Sequence, residues 1–427
     1  PLAAGYLKLF AIRRGLGERY AIEILPPRLA GRLGDRGLVE EVLARDPRIV
    51  GFTCYVWNIE RTLWIARELK QARPELTIVL GGPEITRDNA WVLAHPAVDY
   101  AVMGEGEQTF CELLHLLADC GEARAGTRGV TPSAAIAGLW SRGMDRPPPP
   151  RRPLEDLDAI TSPYLEGILD VADEEAMFLE TSRGCAFRCK FCYYPKSYDA
   201  TYFVSQEKVA ACLRHANERG AKEIVLLDPT LNQRRDFVDF LRLLARHNTA
   251  RRWTCFGELR AEGIDGPKAK LLREAGFTEV EVGLQSLDPL AQRLMDRKVP
   301  VEAFERGVKA MLDEGLTVRV DLILGLPGDT PDSVRRSIDY LHRSRLDSKV
   351  QVFHLSVLPG TAFREEAPQL GLEFQSRPPY YVLQTPTLRL EQLYDLMEEA
   401  QDAFEMEFDP IPPPRDSCVG KQCHTVH

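Results

Sequence analysis

Short apolar runs alternate with amphipathic stretches along most of this chain, and the two periods predict strands and helices in turn. In the first part, Arg48-Ile-Val-Gly-Phe-Thr53, Leu76-Thr-Ile-Val-Leu-Gly-Gly82 and Val98-Asp-Tyr-Ala-Val-Met-Gly104 read as strands that end in small residues. Helical patterns run from Ile59 to Lys70 and from Glu107 to Leu117. This alternation predicts an α/β domain with an open parallel Rossmann-like sheet, whose ligand site lies outside the carboxyl ends of the strands. Those ends are Thr53 to Asn58, Gly81 to Glu84 and Gly104 to Glu107, where glycines either admit a bulky ligand or simply make turns. The quoted chain begins at Pro1 with a helix-like stretch, Leu2 to Ala11. A strand usually precedes such a helix, so an earlier segment is expected.

From Ala176 the alternation resumes with a longer period. Six strand-like runs follow: Ala176 to Glu180, Glu223 to Asp228, Arg252 to Glu258, Thr278 to Gln285, Thr317 to Gly325 and Lys349 to Leu355. Helical patterns such as Gln206 to Glu218, Phe237 to Ala245, Val301 to Glu314 and Ser333 to Ser344 separate them. Between the two halves, Gly121 to Ala135 is small and polar, and Arg146 to Pro153 should run as an extended polyproline spacer. The expected organisation is a sheet domain over 1–125, a linker over 126–175, a second α/β domain over 176–375 and a C-terminal extension over 376–427.

Length and charge narrow the function. With 427 residues, 44% hydrophobic and 27% charged, the chain is long enough for two or three domains. A net charge of -9 argues against a broad nucleic-acid surface and favours a small-molecule or peptide substrate. No apolar run is long enough for a membrane span, and ten cysteines without a signal peptide suggest a reduced, cytoplasmic protein.

Candidate chemistry centres on Cys185, Cys189 and Cys192, on the loop that leaves the Ala176 strand. A structural zinc site would normally supply four ligands in two pairs, and no second pair follows at the usual distance. Thiolates are the preferred ligands of iron–sulfur clusters, and three of them on a four-iron cubane leave one iron open to another molecule. The spacing therefore favours an open cluster over zinc or chance.

The run Cys-x3-Cys-x2-Cys, with Phe191 before the last cysteine, resembles the signature of the radical S-adenosylmethionine (SAM) superfamily. That resemblance implies a [4Fe-4S] cluster on Cys185, Cys189 and Cys192, SAM on the open iron, an external one-electron reductant of the flavodoxin or ferredoxin type, and a partial (β/α)6 barrel. Asp228 and Thr230 stand where the family receives the SAM amino group. Glu258 and Gln285 become candidates for the ribose, Ser286 and Arg319 for the carboxylate, and Phe191 for the adenine edge. Alternate residues point inward in a barrel, so Glu281, Gly283 and Gln285 share one face, as do Arg319, Asp321 and Ile323. The competing reading for each polar residue is an internal hydrogen bond or salt bridge.

The first domain has its own resemblance. Gly51-Phe-Thr-Cys-Tyr-Val-Trp-Asn58, Leu80-Gly-Gly-Pro-Glu84 and Gly104-Glu-Gly-Glu107 resemble the cobalamin-binding-like domain that precedes many radical-SAM domains. It implies that Thr53, Gly81, Gly82 and Glu105 line the cobalamin or its vestigial pocket. No Asp-x-His-x-x-Gly run is present to give cobalt a lower axial ligand. Cys54, Cys111, Cys212 and Cys255 read as core thiols and Cys120 as incidental, whereas Cys418 and Cys423 are candidates for a thiophilic substrate or a second metal.

Two reactions are open on this reading. One is cobalamin-dependent methylation of an unactivated carbon. The other is transfer of the 3-amino-3-carboxypropyl group of SAM to a thiophilic acceptor such as arsenite, because Gly51 to Trp57 and the tail cysteines also resemble the arsenite-modifying radical-SAM enzyme of arsinothricin biosynthesis. A non-catalytic electron carrier or redox sensor ranks below both, since it needs no polar residues on the later strands.

Overall fold

The computed structural model describes residues 2–122, 136–144, 146–173, 175–194 and 198–408. They fall into two compact units, one ending at Asp173 and the other running from Glu175 through residue 408. Cys418 and Cys423 lie outside the described residues.

The first unit is a four-stranded sheet in the order β1 (Ile49–Thr53), β2 (Thr77–Gly81), β3 (Tyr100–Val102) and β4 (Leu139–Ser141). The first three strands are parallel, with Val50 opposite Ile78 and Phe52 opposite Leu80, and β4 runs antiparallel to β3. In β2, Ile78, Val79 and Leu80 are all buried, as expected for a parallel strand covered on both faces. The helix Ile59–Ala72 packs Leu63, Ala66 and Leu69 into the same core. Each of the two leucines contributes roughly 1.5–3 kcal/mol on burial.

The stretch expected as a linker is, where described, a working part of this unit. Leu139–Ser141 forms the edge strand β4, and Arg151 pairs with Glu112 and donates at 3.1 Å to the Thr109 hydroxyl. Polyproline backbone does remain extended there, but its carbonyls serve as acceptors: Gly138 N–H donates to Pro149 at 2.8 Å and Arg87 to Pro148 at 3.0 Å.

The second unit begins with β5 (Ala176–Leu179) and a short ladder of β6 (Ser182–Arg183) antiparallel to β7 (Tyr202–Phe203). Parallel strands β8 (Glu223–Leu226) and β9 (Thr254–Phe256) follow β5 in one arc. A second arc joins β10 (Glu258–Leu259), β11 (Glu279–Gln285), β12 (Thr317–Leu324) and β13 (Lys349–His354), again all parallel. The third expected run is broken at Gly257, so that β9 pairs back to β8 and β10 forward to β11. A backbone break of this kind lets a sheet turn a corner. The six runs thus form the expected partial barrel, with helices returning between them.

Alternation sorts the two faces of that barrel. Val280, Val282, Val318, Val320, Val350 and Val352 are buried on the outer face, toward the helices. Glu258, Glu281, Arg319 and Lys349 occupy one level of the inner face, since they oppose one another in register. The extension beyond the barrel is tied to it. An antiparallel ladder joins β14 (Glu373–Phe374) to β15 (Val382–Gln384), and Val382 N–H donates to Leu355 and Val357 N–H to Tyr380, each at 2.9 Å.

Candidate active site

The cysteine loop spans the gap between β6 and β7 and is held from several sides. Lys190 N–H donates to Met295 at 2.9 Å, and Phe363 N–H donates to Lys190 at 3.0 Å. Gln233 accepts from Ala186 N–H at 2.8 Å and donates to the Gly184 carbonyl at 3.3 Å. Phe187 lies under the Arg260 guanidinium, 4.1 Å from its ring centre. These are contacts between distant parts of the chain, so the thiols are positioned before any ligand binds.

Cys189 is buried, and Cys185 and Cys192 are half-buried. Burial is the main cause that pushes the Cys192 thiol up to about 12, with Cys189 and Cys185 adding to it. Three adjacent thiolates are unfavourable there unless a cationic centre compensates them, which is what an iron cluster does. Among the described residues no three His, Cys, Asp or Glu side chains converge on a single ion. A cubane places its ligands on separate irons, so the donor set fits a cluster better than zinc.

Around the thiols the inner face carries unsatisfied polar groups. Asp321 is 6% exposed, and its Oδ1 has no partner. Burial, then the charges of Glu281 and Glu258, push its carboxyl up to about 9. Water reaches Glu258, but barrel atoms crowd it closely enough that desolvation, followed by repulsion from Glu281, raises its carboxyl to about 7. Gln285 ends β11 at a bulge with φ +67, and its Oε1 is also buried without a partner. An orphaned buried acceptor costs about 1–3 kcal/mol, which a bound ligand donating to it would recover. Thr230 Oγ1 lies 3.9 Å from Cys185 Sγ, at the edge of a cavity of about 360 Å³ that Phe187, Asn232 and Arg260 also line. Phe191 is half-buried.

In the first unit the strand-end loops cross tightly. Cys54 N–H donates to Gly81 at 2.7 Å, and Gly82 has φ +105. A Cβ on Gly82 would stand 2.6 Å from the Cys54 carbonyl oxygen, so only glycine fits. Gly81 and Gly104 instead have open space where a Cβ would point. Beyond β1, Tyr55 and Trp57 stack with ring centres 4.5 Å apart and planes 6° apart, and Trp57 is 67% exposed. Thr53 is half-buried, and its carbonyl accepts from Asn58 at 3.0 Å. A flat aromatic pair beside open glycine backbone suits a large planar group such as a corrin. These loops hold no histidine to ligate its metal.

Comparison with known proteins finds the radical SAM superfamily over residues 179–341 and the B12 binding domain over residues 13–114. Residues 179–341 therefore carry a radical SAM domain. It is 26% identical over 372 residues to 2-(S-pantetheinyl)-carbapenam-3-carboxylate methyltransferase of Streptantibioticus cattleyicolor, covering 82% of this chain and 53% of that protein. It is 25% identical to the cobalamin-dependent radical SAM methyltransferase TokK of Streptomyces tokunonensis, covering 98% and 61%. The chain therefore spans somewhat over half the length of these two relatives. In fold it resembles the radical SAM methyltransferase TsrM of Kitasatospora setae, with TM-score 0.71 and 20% identity over 94% of this chain and 86% of that one.

In both units, several residues expected to meet cofactor are engaged by the protein itself. Asp228 is 1% exposed and takes hydrogen bonds from Thr181 N–H at 3.2 Å, Thr181 Oγ1 at 2.8 Å and Ser182 Oγ, so it braces the β5–β6 junction. Ser286 donates to Asp329 at 3.0 Å. Arg319, near the start of β12, pairs with Glu279 and with Glu281 at 3.2 Å. Glu105 accepts from Leu154 N–H at 2.6 Å and anchors the spacer. For these four the internal-partner reading prevails. The four core thiols Cys54, Cys111, Cys212 and Cys255 are indeed buried.

Two residues not chosen from the sequence stand out in the barrel. Asp321 carried a signal, an acid within the apolar strand Val318 to Leu324. Arg297 carried none, because it sits in the ordinary polar run Asp296-Arg297-Lys298. Its Nη1 lies 3.8 Å from Cys189 Sγ.

Proposed function

We propose that this chain is a cobalamin-dependent radical SAM methyltransferase acting on a carbon of a small-molecule or peptide substrate. The observation that carries the reading is the union in one chain of a three-cysteine barrel mouth and a B12-type sheet whose loop glycines leave room for a corrin. When bound, the cluster with SAM supplies a carbon radical and cobalamin supplies a transferable methyl group.

The chain's own residues bind and orient. Cys185, Cys189 and Cys192 hold the cluster. Gln285 Oε1, Asp321 Oδ1 and Glu258 accept from the hydroxyl and ammonium groups of SAM, Thr230 contributes its hydroxyl near Cys185, and Phe191 packs on the adenine edge. The outer face of the barrel is apolar and tightly packed, which keeps water from a reactive radical. Gly81, Gly104 and the Tyr55–Trp57 pair would cradle the corrin, with the Gly82 crossing shaping the loop and Thr53 at its edge, and these loops offer cobalt no histidine. The bound cluster would draw its electron from an external one-electron donor. Among the described residues no helix is long and apolar enough to cross a membrane. Methyl transfer is preferred to aminocarboxypropyl transfer because the relatives above are methyltransferases.

The test is anaerobic reconstitution with iron, sulfide and cobalamin, followed by SAM and dithionite. A cobalt spectrum retained through gel filtration, with 5'-deoxyadenosine as the SAM product, is expected. A chain that retains no cobalamin, or that yields methylthioadenosine, overturns the methylation reading.

A further inference from the structure

Arg297 is a half-buried cation with no carboxylate at ion-pair distance among the described residues. Its fork divides between two partners. Nη2 donates to the Gly283 carbonyl at 2.6 Å, Nη1 points at Cys189 Sγ from 3.8 Å, and Nε is buried with no partner. The backbone that carries it is fixed. Arg297 N–H donates to Gln292 at 3.0 Å, Asp296 takes φ +52, and Met295 accepts from Lys190 N–H inside the cysteine loop at 2.9 Å. A Cβ on Gly283 would collide with Gln285 Nε2 and stand 3.0 Å from Arg297 Nη2, so the glycine leaves room for both side chains. A partly buried guanidinium favours nearby anions; the Glu258 and Asp321 carboxyls feel its charge from beyond ion-pair distance, and the sulfur its fork reaches is that of Cys189.

We infer that Arg297 is a positioning residue that sets the reduction potential of the cluster by donating to the Cys189 thiolate while its other arm is anchored on Gly283. Reduction adds one electron to a cluster already carrying thiolate charge. A fixed cation and N–H donor at a ligand sulfur stabilise the reduced state more than the oxidised one, which raises the potential. Lysine keeps the charge but cannot span both partners, so charge and fork are separable.

This inference rests on the proposed three-cysteine cluster. The test is an EPR-monitored redox titration of the full chain, reconstituted anaerobically, as wild type, Arg297→Met and Arg297→Lys, with iron and sulfide content measured for each. The expected result is wild-type iron content, a lower midpoint potential in Arg297→Met and an intermediate one in Arg297→Lys. An Arg297→Met cluster that is complete and titrates at the wild-type midpoint overturns the inference alone. If Arg297→Met fails to assemble a cluster, Arg297→Lys decides, and a wild-type midpoint there overturns it. A wild-type chain that takes up no cluster overturns the functional reading itself, and this inference with it.

Discussion

The two units place polar chemistry in opposite ways. In the first, Ile78, Val79 and Leu80 fill β2 on both faces, so only the strand-end loops are left to meet a ligand, and they do so with glycine backbone and an exposed aromatic pair. In the barrel, β11 and β12 bury valines outward and turn Glu281, Gln285, Arg319 and Asp321 inward, where Gln285 and Asp321 each keep an unsatisfied oxygen. A doubly covered sheet recognises by shape at its edge. A barrel interior can hold side chains whose hydrogen bonds are completed by ligand, at a cost of about 1–3 kcal/mol for each one left open.

That contrast can be broken by substitution. The largest effect is expected from Cys189→Ala, which removes a cluster ligand: iron content should fall and SAM cleavage should be lost, while cobalamin retention by the first unit survives. Leu80→Ala hollows the doubly covered core, and destabilisation of about 2–5 kcal/mol is expected in denaturant unfolding, with cluster assembly in the barrel retained. Gly82→Ala forces a Cβ against the Cys54 carbonyl at a positive φ; a loss of about 1–3 kcal/mol and of cobalamin retention is expected, and unchanged cobalt content would count against the cradle.

The most specific effect concerns Asp321. Its folded carboxyl is raised to about 9 from an ordinary value of about 4, so the folded state binds the proton more tightly than the unfolded one. Stability from this group is present below about pH 4 and is lost as pH rises toward 9, with a slope of at most about 1.4 kcal/mol per pH unit. Asp321→Asn should therefore flatten the decline in Tm between pH 5 and pH 9 that thermal melts of the unliganded chain display. A slope unchanged by the substitution would show that Asp321 is not held protonated. Weaker SAM binding by the same variant, by roughly tenfold or about 1.4 kcal/mol, would place its orphaned oxygen at the cofactor.

Much of the architecture was legible because its signals are local. The period of two in Glu279 to Gln285 and the helical period in Gln206 to Glu218 require only neighbours in the chain, and both elements appear where the pattern places them. The spacing of Cys185, Cys189 and Cys192 is equally local. The spacer was misjudged because prolines predict extended backbone but not what it docks against; Arg151 and Leu154 find partners 39 and 49 residues earlier.

The sequence by itself determined the element order, the cysteine triad and the absence of an axial histidine from the strand-end loops, since each depends on residue identity and short-range spacing. The tertiary structure alone decided which polar residues remain available. Asp228, Ser286 and Arg319 meet partners 47, 43 and 38 residues away and are satisfied, whereas Gln285 and Asp321 keep open oxygens and Arg297 crosses 108 residues to reach Cys189. Whether a charge is free or committed depends on long-range packing, and no local pattern encodes it.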